Sequence, residues 1–167
     1  MLASAIRESG GMLASTRHVQ DSLEHTVEAL EGGVASGAKL IVCSGGVSVG
    51  RHDHVREAAV NAGFEELFWQ IRQKPGKPLY VGCKGETLIF GLPGNPVSAY
   101  MCFRNFVRPV LAELQGTTCL DNTLTAIVSE QLSNRGKRTL FVRVKIENRP
   151  NQLALVKDCL LYTSPSP

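Results

Sequence analysis

Apolar residues follow alternating helical and extended patterns in the first third of the chain. Over residues 2–9 they recur at helical spacing, which predicts a helix that ends at the following glycine pair. The run MLASTRHV, residues 12–19, is typical of a short strand. A second helical pattern begins after Asp21, whose carboxylate we expect to cap the helix because an acidic residue stands three positions later. This helix is expected to end at one of two glycine positions, 32–33 or 37.

The middle of the chain continues this alternation. KLIVCS, residues 39–44, is a continuous β-branched run of the kind found in strands buried on both faces of a parallel sheet. A loop rich in glycine and serine follows, Ser44 to Gly50, and helical spacing then predicts a helix that opens at His52 or Asp53. ELFWQIRQ, residues 66–73, predicts the next strand. Strands and helices in this order are typical of a wound α/β sheet.

A hairpin and a long helix are predicted next. LYVGC and TLIFGL, residues 79–83 and 87–92, are expected to pair across Lys84 and Gly85. GLPGNPVSA then supplies a loop and the start of a helix, which Pro109 should kink or split because proline lacks the amide hydrogen.

The pattern changes after Gly116. Three β-rich segments separated by polar turns predict a separate small β unit, and they read TLTAIVSEQL, RTLFVRVKIE and QLALVKD. We therefore predict an α/β fold with a three-layer, wound and mainly parallel sheet over residues 1–116. The start of a small β domain, residues 117–158, would follow, and the Ser/Pro-rich residues 159–167 read as a tail of doubtful origin.

Composition narrows the class of protein. The 167 residues are 43% hydrophobic and 20% charged, which suits one ordinary core with a small appendage. The net charge is +3, and the charged residues are distributed along the chain without blocks of like charge. This distribution disfavours binding to nucleic acid or to a membrane surface. The five cysteines form no C-x-x-C pair and are odd in number, which favours reduced thiols over a zinc site or disulfide framework. Without an apolar run of about 20 residues or a signal segment, we expect a cytoplasmic protein.

The Gly-rich loop carries the first candidate chemistry. Gly46 to Gly50 satisfies the G-x-S-x-G pattern of a hydrolase nucleophile elbow, with Ser48 as nucleophile. The last histidine, His54, comes only six residues later, so the downstream base of that fold is missing. Two interpretations stay open: a cradle of backbone N–H groups for an anion, or a tight strand-to-helix turn without further function.

Two further motifs favour an anionic ligand. In KPGKP, prolines restrict the backbone around Lys74 and Lys77 and could hold both ammonium groups toward one oxyanion, although a solvated turn is an equal alternative. In GLPGNPVSA, the loop ends in a helix start that predicts a free N-terminus beside Ser98. All three motifs would meet at the carboxyl edge of a parallel sheet, where open α/β folds bind ligands.

These motifs carry a resemblance to a known family. SGGVSVG with Asp53 shortly after, FWQIRQKPGKPLYVG and IFGLPGNPVSAYMCFRNFVRPVL, in this order and spacing, closely resemble the molybdopterin molybdenumtransferases, MoeA and the gephyrin E domain. The likeness runs from about Met1 to Asp158 and implies a molybdopterin-binding, MogA-like fold followed by part of a β domain. A family member would extend further at both ends, so the chain resembles a fragment.

The resemblance implies a reaction and its ligands. Family members insert molybdate into the dithiolene of adenylylated molybdopterin, release AMP and form molybdenum cofactor, with magnesium as the expected cofactor. The implied pterin and phosphate contacts are Ser44, Gly45, Gly46, Ser48 and Gly50, with Pro93, Gly94 and Asn95 from the second loop. Lys74, Lys77 and Ser98 would receive molybdate, and Asp53 would hold Mg²⁺ or orient the phosphate bond that is cleaved.

Four further positions have two interpretations each. Asp21 falls where the family often has an acidic residue near the site, yet it is also the expected helix cap. Arg138, in the R-x-x-F-x-R pattern completed by Arg143, would reach toward molybdate or lie on an exposed edge strand. His52 and His54 could ligate a metal, but two imidazoles without a third ligand favour exposed loop residues.

Other functions within the same fold remain as alternatives. The chain could be a non-catalytic pterin-binding module or a gephyrin-like scaffold, and a full-length member would be a homodimer. A molybdopterin adenylyltransferase is disfavoured because those proteins usually carry a shorter Gly-Gly-Thr-Gly type of loop in place of SGGVSVG.

Overall fold

The structure is a computed structural model that describes residues 1–47, 54–119, 125–128, 132–134, 136–147 and 154–158. The chain divides into two compact units, Met1–Cys119 and Leu120–Pro167. Each unit is described by itself.

Helices flank a sheet in the first unit. The helices are α1 (Leu2–Glu8), α2 (Leu23–Ala35), α3 (Val55–Asn61), α4 (Pro96–Cys102) and α5 (Arg108–Leu114), with a π-helical turn, Phe103–Val107, between the last two. The strands are β1 (Leu40–Ser44), β2 (Glu65–Trp69), β3 (Gln73–Lys74), β4 (Tyr80–Lys84) and β5 (Thr87–Leu92).

The sheet has the order β1-β5-β4-β2 and is mixed. β1 runs parallel to β5, with Leu40 opposite Leu88 and Ser44 opposite Leu92. β4 and β5 form the predicted antiparallel hairpin, and β2 pairs antiparallel with β4. Within the described part of the sheet, β1 has one neighbour and its first four residues are half-buried, so the prediction that both of its faces are buried was too strong.

Two apolar cores lie on opposite faces of this sheet, since successive side chains of a strand point to opposite faces. Phe90 and Leu92 pack with residues of α1, α4 and α5, whereas Ile89 packs with residues of α2 and α3. The result is three layers, helix on sheet on helix, and the predicted α/β fold is confirmed.

Two predictions in the N-terminal region were wrong. Residues 12–19 form no strand, and Met12 is 95% exposed, because an alternating pattern gives a strand only where a partner strand and a core are available. The cap of α2 is Ser22, whose Oγ accepts the His25 amide hydrogen at 3.3 Å, and the preceding Asp21 is exposed.

The ends of two helices follow the predicted signals. α2 continues through Gly32 and Gly33 and ends at Ala35, before Gly37 with φ +75°. Pro109 was expected to kink or split the long C-terminal helix, and the π-helical turn ends directly before the segment that contains it. A proline cannot donate to the carbonyl four residues earlier, and the wider π turn is one way to accommodate that loss.

The second unit contains four strands in its described part: β6 (Ala126–Val128), β7 (Thr139–Leu140), β8 (Val144–Glu147) and β9 (Ala154–Asp158). Three of them form a sheet in the order β6-β9-β8. β6 runs parallel to β9, and β8 runs antiparallel to it. Among the helices that the structure describes in the whole chain, none is both long and apolar enough to cross a membrane.

Candidate functional site

The loops after β1 and β5 meet because the two strands are parallel and end at the same edge of the sheet. The amide hydrogen of Gly45 bonds to the carbonyl of Leu92 at 3.0 Å. A β-carbon built on Gly94 would lie 3.6 Å from the Cα of Gly45. Two of the three motifs that the sequence singled out are therefore in direct contact.

The glycine-rich loop leads from a parallel strand into a helix, as predicted. Its first glycine, Gly45, has φ +91°, and a β-carbon there would meet no atom within 4 Å. The carbonyl of Gly46 accepts the amide hydrogen of Val55 at 2.9 Å, which ties the loop to the start of α3. The predicted site residues Ser48, Gly50 and Asp53 and the neighbouring His52 lie outside the described residues. The loop entrance thus offers open space at Gly45 beside fixed backbone.

A tryptophan that the sequence analysis did not single out holds this loop. The Nε1–H of Trp69 donates to the carbonyl of Val47 at 3.2 Å, and the Val47 side chain is buried. The guanidinium of Arg56 lies 4.3 Å from the centroid of the Trp69 ring and makes two hydrogen bonds to Glu66, at 2.6 and 3.2 Å. Val47, the last residue of the loop that the structure describes, is therefore fixed by a side chain from β2.

The lysine turn, Lys74 to Lys77, packs on α4. Lys74 and Lys77 are exposed, whereas Gly76 between them is buried and has φ +98°. A β-carbon on Gly76 would lie 2.7 Å from Cys102 Sγ and 3.4 Å from the carbonyl oxygen of Ser98. The turn therefore sits directly against the helix that carries Ser98.

A thiol also anchors this turn. Cys102 is fully buried, and its Sγ–H donates to the carbonyl of Gly76 at 3.5 Å. Burial raises the pKa of the Cys102 thiol to about 12, so the group stays neutral near pH 7 and keeps the proton that it donates.

The loop before α4 is more closed than the sequence predicted. Asn95 caps the helix: its Oδ1 accepts the amide hydrogens of Val97 and Ser98 at 3.0 and 3.2 Å. The predicted free N-terminus is therefore not free, because its own cap satisfies two of the amides that an anion would use. Pro93 is buried, and Gly94 and Asn95 are exposed.

The remaining candidates are Asp21 in the first unit and Arg138, with Arg143, in the second. Asp21 is exposed before α2, and its place near a ligand stays a prediction. Arg138 and Arg143 are exposed in the second unit, where the carbonyl of Arg138 accepts a hydrogen bond from the side chain of Asn134 at 2.8 Å. The approach of Arg138 to molybdate stays a prediction as well.

The described part of the chain contains no cluster of ligands for magnesium. No group of three or more His, Cys, Asp or Glu residues there could hold a metal ion. The predicted ligand Asp53 lies outside that part, so we assign no step to the ion.

Comparisons with known proteins identify the family of the chain. A family profile described as "Probable molybdopterin binding domain" matches residues 1–113. The chain is 34% identical to molybdopterin molybdenumtransferase 2 of Mycobacterium tuberculosis over 145 residues, 83% of the chain and 36% of that protein. It is 46% identical over 81 residues to the molybdopterin molybdenumtransferase of Haemophilus influenzae, 48% of the chain and 20% of that protein. The chain thus spans well under half the length of these relatives.

Solved structures show the same fold. The molybdopterin biosynthesis MoeA protein of Pyrococcus horikoshii superposes with a TM-score of 0.73 at 26% identity, covering 96% of this chain and 37% of that one. The MoaB protein of Thermus superposes with a TM-score of 0.52 at 23% identity, covering 70% of this chain and 85% of that one, which is a likeness of fold alone. The motifs, the contacts between them and the family match over residues 1–113 together place the chain in the molybdopterin-binding domain family, with the molybdopterin molybdenumtransferases.

Proposed function

We propose that the protein containing this chain acts in molybdenum cofactor biosynthesis and inserts molybdate into adenylylated molybdopterin with release of AMP. The observation that carries the proposal is the run of contacts that links the three motifs. The Gly45 amide bonds to the Leu92 carbonyl, the loop after Leu92 leads into α4, and the lysine turn packs on α4 at Ser98 and Cys102. A glycine-lined anion site and a pair of lysines on one connected scaffold suit a reaction between two anions.

The lysines supply the charge that molybdate requires. Lys74 and Lys77 are exposed on a turn whose central glycine is buried, so their stems start from a fixed backbone. Two ammonium groups on such a turn stabilise a doubly charged oxyanion without a large entropic cost of ordering the backbone. Ser98 contributes a hydroxyl beside them, half-buried on α4.

The glycine loop would orient the other substrate. Open space at Gly45 allows a phosphate or pterin group to approach the main chain more closely than any side chain would permit. Ser44, exposed at the end of β1, adds a hydroxyl at the same edge. Release of AMP requires cleavage of the phosphate bond of the adenylylated pterin, and the family resemblance assigns the orientation of that bond to Asp53.

The experiment is an insertion assay with the full-length protein that contains this chain. Purified protein, adenylylated molybdopterin and molybdate should release AMP and yield a pterin that reconstitutes a molybdenum-free apoenzyme. Binding of the pterin without AMP release, at any molybdate concentration, would favour the non-catalytic scaffold instead. Omission and addition of Mg²⁺ test the cofactor in the same assay, and light scattering tests the proposed homodimer.

A second reagent separates this function from the hydrolase alternative. A serine nucleophile at Ser48 would be labelled covalently by a fluorophosphonate. We expect no label on Ser48 by mass spectrometry, because the residues after His54 contain no histidine to act as a base.

A further inference from the structure

We propose that Gln73 and Asn105 position the lysine turn for molybdate, although neither residue touches the anion. The inference rests on the proposed function and extends it to a buried glutamine and a partly buried asparagine. We call this pair the Gln73–Asn105 bridge.

Gln73 is buried immediately before the first lysine of the turn. The residue is only 5% exposed, and in the described part of the chain the other buried polar residue is Thr87, at 6%. A buried amide is costly unless both of its ends are hydrogen-bonded. Here both are: Nε2 donates to the carbonyl of Pro75 at 2.9 Å, and Oε1 accepts from Nδ2 of Asn105 at 3.4 Å. The glutamine therefore connects the turn to the helical segment.

The bond to Pro75 acts at the centre of the motif. Pro75 lies between Lys74 and Gly76, so a fixed carbonyl at this position fixes the path of the backbone that separates the two lysines. The approach is close, because a β-carbon on Gly76 would lie 2.9 Å from the same Nε2. The glutamine amide and the glycine thus fit together beneath the turn.

Asn105 completes the hydrogen bonding of the Gln73 amide. The Pro75 carbonyl can only accept, so it requires the NH₂ end of Gln73, and the oxygen of Gln73 then faces Asn105 and accepts from its NH₂ group. An acceptor without a donor end at position 105 would instead compete with Pro75 for the NH₂ group of Gln73.

The π-helical turn explains why Asn105 is available. Asn105 belongs to this turn, Phe103–Val107, and lies four residues before Pro109, which has no amide hydrogen for the Asn105 carbonyl. The wider turn changes the register of the side chains that follow Cys102. Pro109 thus affects the lysine turn indirectly, because it favours the π-helical turn that contains Asn105, the partner of Gln73.

The test uses substitutions that keep side-chain size. Asn105→Asp replaces the donor by an acceptor, so the carboxylate should accept from Gln73 Nε2 and draw the amide away from Pro75. Gln73→Met keeps the length of the side chain and removes both hydrogen bonds. Asn61→Asp is the matched control, since it makes the same chemical change at an exposed position in α3. All variants are made in the full-length protein.

We expect weaker molybdate binding with little effect on the pterin. In both bridge variants the molybdate Kd, measured by calorimetry, should rise about tenfold, the scale of one or two lost hydrogen bonds. The Kd of the bridge variants for adenylylated molybdopterin should stay near the wild-type value. The molybdate Kd of the Asn61→Asp control should also stay near the wild-type value. Hydrogen exchange in the peptide that spans residues 71–79 should be faster in both bridge variants.

Two results would overturn the inference. One is a wild-type molybdate Kd in both bridge variants of a protein that does bind molybdate. The other is unchanged exchange over residues 71–79, which shows that the bridge does not hold the turn. If the wild-type protein itself fails to bind molybdate, the proposed function fails, and the exchange measurement still decides whether the bridge fixes the turn.

Discussion

The glycine loop and the lysine turn are both fixed at their backbones, but by different means. Residues 44–47 are tied to the sheet and to α3 mainly by backbone hydrogen bonds, at Gly45 and Gly46. Residues 74–77 take part in a backbone bond from the Ile71 amide hydrogen to the Lys77 carbonyl at 2.9 Å. The buried side chains of Gln73 and Cys102 also anchor them, by hydrogen bonds to the carbonyls of Pro75 and Gly76. The position of the loop follows from strand pairing, whereas the position of the turn depends on packing against a helix.

Substitution of one glycine in each segment tests this difference, and the expected effect on the free energy of unfolding is the largest of those predicted for stability. Gly45 and Gly76 have similar left-handed backbones, with φ +91° and +98°. A β-carbon on Gly45 would meet open space, but on Gly76 it would overlap Cys102 Sγ at 2.7 Å. We expect Gly76→Ala to lower the free energy of unfolding by about 3 kcal/mol, from strain and overlap, and Gly45→Ala by about 1 kcal/mol, from strain alone. Urea unfolding of both variants measures the difference.

Equal losses in the two variants would break the comparison. They would mean that the contacts of Gly76 relax without cost and that the turn is no more tightly packed than the loop. A larger loss for Gly45→Ala would place the tight packing at the loop instead.

The sequence predicted the elements better than the contacts between them. The run KLIVCS and the hairpin of residues 79–92 were recognisable because apolar β-branched strands bounded by turn residues have few alternatives. The cap of α2 was missed by one residue, since Asp21 and Ser22 are both good capping residues and only geometry selects between them. The strand expected at 12–19 failed because a local pattern carries no information about a partner.

The contacts that the sequence analysis missed join residues that are far apart in the chain. Trp69 reaches Val47 across 22 positions, and Asn105 reaches Gln73 across 32. No local periodicity encodes such pairs. A buried glutamine beside two lysines was the available signal, but burial itself depends on the fold. The lysines and glycines were found because their residue types, in short motifs, suit anionic ligands.

A smaller effect is expected at Trp69, which anchors Val47 in the described part of the loop. Trp69→Phe keeps an aromatic ring beneath Arg56 and removes the hydrogen bond to the Val47 carbonyl. The free energy of unfolding should fall by about 1 kcal/mol, as for one neutral hydrogen bond. Circular dichroism in urea measures it, since the variant lacks the only tryptophan of the chain.

Arg56→Gln is the comparison for this variant. It removes the partly exposed ion pair with Glu66 but leaves the indole hydrogen bond, so a loss of only a few tenths of a kcal/mol is expected. If Arg56→Gln cost more than Trp69→Phe, the loop would depend on the charge cluster and not on the indole.

The most direct test of the account is molybdate titration of the full-length protein with Lys74→Ala or Lys77→Ala. Because both lysines are exposed, folding should be unchanged, while molybdate binding should weaken by about 1.5–3 kcal/mol, the scale of a charged hydrogen bond. Lys39→Ala, an exposed lysine before β1 at the other end of that strand, is the control and should bind as wild type. Adenylylated molybdopterin should still bind to both variants. Wild-type molybdate affinity and insertion rates in Lys74→Ala and Lys77→Ala would show that the pair is only a solvated turn, and would contradict the account.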